Sequence, residues 1–88
     1  MKNKVRCFTL SGSVYDIDWD NAKIRQVSAS PTSEQHRIKP EWCSAEAVEY
    51  NGIGTKILVR WLTEGELVRC TVTSPVVRDQ RITDDGNN

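Results

Sequence analysis

Lys56-Ile57-Leu58-Val59-Arg60-Trp61-Leu62-Thr63-Glu64-Gly65-Glu66-Leu67-Val68-Arg69-Cys70-Thr71-Val72-Thr73 is the most regular segment of this chain. Ile57, Val59 and Trp61 alternate with Lys56, Leu58, Arg60 and Leu62, and Val68, Cys70 and Val72 alternate with Leu67, Arg69, Thr71 and Thr73. Two period-2 runs around a short glycine-containing loop predict a β-hairpin. Pairing Leu62 with Leu67 sets Trp61 against Val68, Val59 against Cys70 and Ile57 against Val72, which makes one face wholly apolar. A slip of one residue would turn that face over.

The opposite face of the same hairpin is the most informative for function. Leu58, Leu62 and Leu67 share it with Lys56, Arg60 and Arg69, and in this register Arg60 and Arg69 stand directly opposite, where like charges repel. One reading is that the arginine stems cover the leucines while their heads reach water. The other is an interface, since arginine is enriched in interfaces and their hot spots and a carboxylate or phosphate between the guanidiniums would relieve the repulsion.

Outward from the hairpin, Val5–Leu10 and Val14–Trp19 flank Ser11-Gly12-Ser13 and predict a second hairpin. A two-residue Ser11-Gly12 turn sets Phe8 opposite Tyr15 and Arg6 opposite Ile17. Tyr15, Ile17 and Trp19 then form a core face, and Asp16 and Asp18 the polar one. A third strand over Lys23–Ser28 returns through Asp20-Asn21-Ala22 and brings Arg25 opposite Asp18. Residues 28–35 are small and polar and read as a loop. For residues 40–51 the expectation is a helix: Pro40 suits a first turn, Cys43, Ala47 and Tyr50 recur at helical spacing, and Asn51-Gly52 supplies a stop. The competing reading is a strand from Ala45 to Tyr50 turning at Asn51-Gly52. Val76-Val77 and Ile82 suggest a short edge strand. The tail 84–88 has no apolar residue and is expected to be disordered.

The composition agrees with this outline. The chain has 88 residues, enough for one small domain over 1–83 but not for two domains with a cleft between them. Nine Val, six Ile and seven Thr against four Leu and four Ala favour strands. The expected class is α+β, mostly β: an antiparallel sheet or small open barrel of about five strands with one short helix. Twelve Lys and Arg balance twelve Asp and Glu, so neither a strongly basic DNA-coating protein nor an acidic DNA mimic is expected. No apolar run is long enough to span a membrane, and Met1-Lys2-Asn3-Lys4 lacks the apolar stretch of a signal peptide. Three cysteines, an odd number, fit a reducing cytosol.

Motifs for chemistry are weak. Asp16-x-Asp18-x-Asp20 resembles the start of a calcium loop, but Asn21 stands where glycine is needed and Val27 where the bidentate glutamate should be. Cys7, His36, Cys43 and Cys70 lack the close-spaced pairs of structural zinc sites. The single histidine, His36, has no orienting partner in its loop, and Gly52-Ile53-Gly54-Thr55-Lys56 lacks phosphate-loop spacing. No metal, cofactor or enzymatic activity is therefore expected. Trp19 and Trp61 read as core, and Trp42, off the Cys43–Ala47–Tyr50 stripe, as an exposed aromatic anchor.

Two functions follow as expectations. The first is a small, non-enzymatic, cytoplasmic binding protein that occupies a protein partner, an inhibitor or accessory factor of the phage or mobile-element kind. Its contact residues would be Lys56, Leu58, Arg60, Leu62, Leu67, Arg69 and Trp42. The alternative is a small β module for single-stranded nucleic acid or RNA built on Lys56, Arg60, Arg69 and Trp42. The hairpin face could equally join two copies in a homodimer.

Overall fold

The computed structural model describes residues 4–29, 38–62 and 69–82. These form strands β1 (Lys4–Thr9), β2 (Val14–Asp18), β3 (Lys23–Ser28), β4 (Cys43–Ser44), β5 (Ala47–Glu49), β6 (Leu58–Arg60), β7 (Cys70–Val72) and β8 (Val76–Ile82). They assemble into two antiparallel sheets, ordered β4-β3-β2-β1-β8 and β5-β6-β7, with no closed barrel. One apolar core draws on both sheets. Val5, Cys7, Tyr15, Ile17 and Ile24 come from the larger sheet, Val59 from the smaller with its neighbours Ile57 and Trp61, and Ile38, Ala45, Tyr50 and Val76 complete the core.

The strands fall where alternation and β-branched content place them, but three registers differ from expectation. In the first hairpin Cys7 pairs with Tyr15 and Phe8 with Val14. The turn takes three residues rather than two. The Thr9 amide donates to the Ser13 carbonyl at 2.9 Å, the Gly12 amide to the Thr9 carbonyl at 3.0 Å, and Gly12 adopts φ 102°. Three-residue hairpin loops place glycine in this left-handed region, where a Cβ would clash. The shift aligns Val5 and Cys7 with Ile17 and Tyr15 on the core side and sets Arg6 opposite Asp16.

In the second hairpin Arg25 lies opposite Asp16 and Lys23 opposite Asp18, so the expected Arg25–Asp18 pairing is displaced by one same-face rung. The turn runs through Ala22 at φ 50°, and Trp19 is carried out of the core to 42% exposure. Asp16 and Asp18 are not a solvated strand face. They are buried, at 0% and 4% exposure.

The helix expected over residues 40–51 does not form. No helix occurs among the described residues. Cys43-Ser44 instead adds to the edge of β3, with Ile24 opposite Cys43. The Ala45 amide donates to the Ala22 carbonyl in one sheet at 2.9 Å, and the Glu46 amide to the Arg60 carbonyl in the other at 2.8 Å. A stripe of Cys43, Ala47 and Tyr50 offers a helix little apolar area, whereas two open sheet edges offer the backbone complete pairing, so tertiary context overrides local spacing. The competing strand reading is close to the outcome: β5 runs to Glu49, and Gly52 turns the chain at φ 111°.

The C-terminal hairpin also forms one residue out of the expected register. Val59 pairs with Thr71 and Arg60 with Cys70, while the Trp61 amide donates to the Arg69 carbonyl at 2.9 Å. Ile57, Val59 and Trp61 keep their inward side, but Thr71 and Thr73 face them in place of Cys70 and Val72. Hydroxyls explain the choice. The Trp61 indole N–H donates to Thr71 Oγ1 at 2.7 Å. The Ile57 amide donates to Thr73 Oγ1 at 3.0 Å, which passes its own proton to the Ser74 carbonyl. Valine and cysteine would leave those two donors unmatched, at about 1–3 kcal/mol each. Cys70 is therefore exposed rather than core, and Val72 is 53% exposed. The expected loop 63–66 and the residues Leu67 and Val68 lie outside the described residues. β8 is longer than the short edge strand expected, pairing with β1 from Ile82 opposite Lys4 to Val76 opposite Thr9.

Candidate functional surfaces

The structure divides the expected contact residues between two sheet faces. On the smaller sheet, Leu58 and Arg60 point away from the core side of β6, and Lys56 and Leu62 continue that parity at its ends. Leu58 is half-buried, Arg60 and Lys56 are exposed, and Leu62 is 67% exposed. The register adds residues that the sequence reading had placed inside: Val72 stands opposite Leu58 and Cys70 opposite Arg60. Glu49 and Ala47 flank the other side. Arg69 leaves this face, because its partner across the ladder is Trp61, so the expected Arg60–Arg69 repulsion is absent. Leu67 is outside the described residues.

Trp42 belongs to the larger sheet. It immediately precedes β4, and the Arg25 guanidinium lies 4.5 Å from the indole centroid, with Lys4 Nζ at 5.5 Å. Lys4 is on β1 and Arg25 on β3, so cations from two strands converge on the half-buried indole.

Across β1, β2 and β3 runs a ladder of charge. Each carboxylate of β2 has a cation opposite on both neighbouring strands: Arg6 and Arg25 for Asp16, Lys4 and Lys23 for Asp18. Asp16 binds both guanidiniums, accepting from Arg6 Nε at 2.8 Å and Nη2 at 3.1 Å and from Arg25 Nε at 2.9 Å, with Arg25 Nη2 also at 2.9 Å. Charge-assisted bonds of this kind fix geometry as well as energy, and they raise the Arg6 pKa above its ordinary value. Asp18 accepts from Asn21 on one oxygen, while its buried Oδ1 has no hydrogen-bond partner. Two rungs further along, Arg78 stacks over Phe8 at 4.3 Å. The pattern was legible: the pairs Lys4/Arg6, Asp16/Asp18 and Lys23/Arg25 alternate in sign from strand to strand. What hid it was the assumption that an Asp-x-Asp strand face must be solvated.

On the core side, Tyr50 donates its hydroxyl proton to Asp79 and stacks on Trp19 at 6.2 Å between ring centroids. Nearby, Lys4, Val5, Trp19, Asp79 and Arg81 line an open cavity of about 220 Å³. Cys7 is buried, and burial, followed by the charge of Asp79, pushes its thiol up to about 12. It is therefore a protonated thiol at neutral pH and no nucleophile. Burial and the Asp79 hydrogen bond likewise raise Tyr50 above the ordinary phenol range.

Of the residues weighed for metals, Cys7 is in the core, Cys43 is half-buried on β4, Cys70 is exposed on the other sheet, and His36 lies outside the described residues. The described residues hold no group of three or more His, Cys, Asp or Glu placed to bind a metal, and no helix long and apolar enough to cross a membrane. No protein-family model, curated protein or solved structure matches this chain.

Proposed function

We propose that this chain is a small non-enzymatic binding protein of the cytosol. It acts by occupying a protein partner with the outward face of the smaller sheet, as an inhibitor or accessory factor of the phage or mobile-element kind. One observation carries the reading. Leu62 and Val72, 67% and 53% exposed, lie with Leu58 on a face whose reverse is buried core, with Lys56 and Arg60 among them. Apolar side chains grouped beside cations suit a contact that buries area and steers by charge. The free cysteines support a reducing compartment.

The test is capture of partners from host lysate at about 150 mM salt, with and without nuclease, using wild type and a Leu62→Asp, Val72→Asp variant. Both positions are exposed, so the variant should fold with a change within about 0.5 kcal/mol each. The reading expects a stoichiometric, nuclease-resistant protein band with wild type that the variant loses. Equal capture by both proteins would refute this face as the contact. A concentration-dependent dimer that the variant abolishes would make the partner a second copy of the chain.

A further inference from the structure

We propose that two copies of this chain join through the open edge of β8, pairing it antiparallel with itself so that the two larger sheets become one. β8 is the longest strand among the described residues and stands last in the order β4-β3-β2-β1-β8. Among the described residues, its edge away from β1 is closed at Val76. The Val76 amide donates to the Thr55 carbonyl at 2.9 Å, and its carbonyl accepts from the Gly54 amide at 2.8 Å. From Val77 to Ile82 no other described strand lies beside that edge. An open edge offers unpaired amides and carbonyls and is a template for another strand. Lysine or proline commonly blunts such edges, and residues 77–82 contain neither.

The order of side chains along β8 selects a second copy as the occupant. Identical antiparallel strands are related by a two-fold axis perpendicular to the sheet, so residues directly opposite share a face and lie an even number of positions apart. An axis at Val77, Arg78 or Asp79 would draw in Val76, whose edge is already bonded. An axis at Arg78, Asp79 or Arg81 would set like charges against each other. An axis at Ile82 would engage only the strand end. An axis at Gln80 has none of these defects. It places Asp79 opposite Arg81 of the second copy, and Arg81 opposite the second copy's Asp79, on the side of the sheet that carries Cys7 and Val5. Arg78 and Ile82 then face each other on the other side. Both charged groups line the open cavity beside β8. Arg81 is exposed and makes no hydrogen bond or ion pair with another described residue. Asp79 accepts the Tyr50 hydroxyl on one oxygen, which orients the carboxylate before a partner arrives and leaves the other oxygen for a guanidinium. The smaller sheet takes no part, so the dimer would present its outward face twice.

Sedimentation equilibrium of the full chain from about 1 to 500 μM should show the mass rising from 10.0 kDa toward twice that value. Arg81→Asp, on an exposed residue, should weaken association about tenfold or more, because it turns both attractive pairs into repulsive ones. Circular dichroism checks its fold. The Leu62→Asp, Val72→Asp variant should associate like wild type, which separates this dimer from the smaller-sheet contact. Crosslinking reads the register in a Cys43→Ser, Cys70→Ser background. Gln80→Cys should oxidise to a disulfide-linked dimer, since directly opposite Cα atoms lie about 4.5–5.5 Å apart, within the disulfide range. Arg78→Cys, facing Ile82, should not. The proposal is overturned by a monomer throughout the concentration range, by unchanged association of folded Arg81→Asp, by loss of the dimer in the Leu62→Asp, Val72→Asp variant, or by equal crosslinking at positions 78 and 80.

Discussion

Replacing Asp16 with asparagine probes the charge ladder most directly. The side chain is fully buried and makes four contacts of 2.8–3.1 Å with Arg6 and Arg25. Asparagine keeps the shape but offers one oxygen acceptor and an NH₂ group, and a guanidinium can only donate. It can satisfy one arginine and must turn a donor toward the other, leaving two cations without the anion between them. Breaking a buried ion pair costs about 3–5 kcal/mol. The arginines are each about one-third exposed, so water resolvates part of their charge and the expected loss falls to about 2–3 kcal/mol. An 88-residue chain has about 4–13 kcal/mol of stability in total, so the variant should lose a large share, and Tm should drop by about 10–20 °C. Urea unfolding followed by tryptophan fluorescence measures the difference. Arg6→Met and Arg25→Met should each cost less than Asp16→Asn, because each leaves the carboxylate one partner. If Asp16→Asn changes stability by less than about 0.5 kcal/mol, the value expected of a solvent-facing strand position, the buried ladder is wrong.

Three further outcomes follow from the same geometry. Thr71→Val should destabilise by about 1–2 kcal/mol, because it strands the Trp61 indole N–H; in the register with Cys70 facing inward it would cost nothing. Titration with a thiol reagent at pH 8 should label exposed Cys70 quickly and buried Cys7 only on unfolding, and rapid labelling of all three would contradict the core. Alkaline stability should fall as pH rises. The unfolded Cys7 thiol ionises near 8.5 and the folded one at about 12, so between these values the unfolded chain has released a proton that the folded chain still holds. The stabilisation is whole below about pH 8.5 and declines toward 12 by up to about 1.4 kcal/mol per unit. Tyr50, also raised, adds a loss of the same sign. Cys7→Ala should flatten the slope by one proton, seen as a shallower fall of urea midpoint with pH.

Taken alone, the sequence determined what depends on neighbours in the chain. Alternation located β1, β2, β3 and the two strands of the C-terminal hairpin, and for β3 the residues 23–28 coincide. The inward side of Ile57, Val59 and Trp61 was equally legible, as was the outward side of Lys56, Leu58, Arg60 and Leu62, because period-2 alternation assigns faces within a strand whatever pairs with it. Which residues meet across strands was not legible. That depends on turn length and on polar groups finding partners: Gly12 in a three-residue turn shifted one register, and the Thr71 and Thr73 hydroxyls shifted another. Each shift of one residue exchanges the faces that meet, and so moved Cys70 and Val72 into solvent and Arg69 off its expected face.

Only the tertiary structure decided the fate of residues 40–51 and of the Asp-x-Asp strand. Cys43–Ser44 and Ala47–Glu49 are strands because β3 on one side and β6 on the other present unpaired edges, and no local spacing encodes an edge contributed by residues elsewhere in the chain. Asp16 and Asp18 are buried where strands of opposite charge lie on both sides. A carboxylate's burial depends on the summed field of its neighbours in space, and that sum exists only once β1 and β3 are in place.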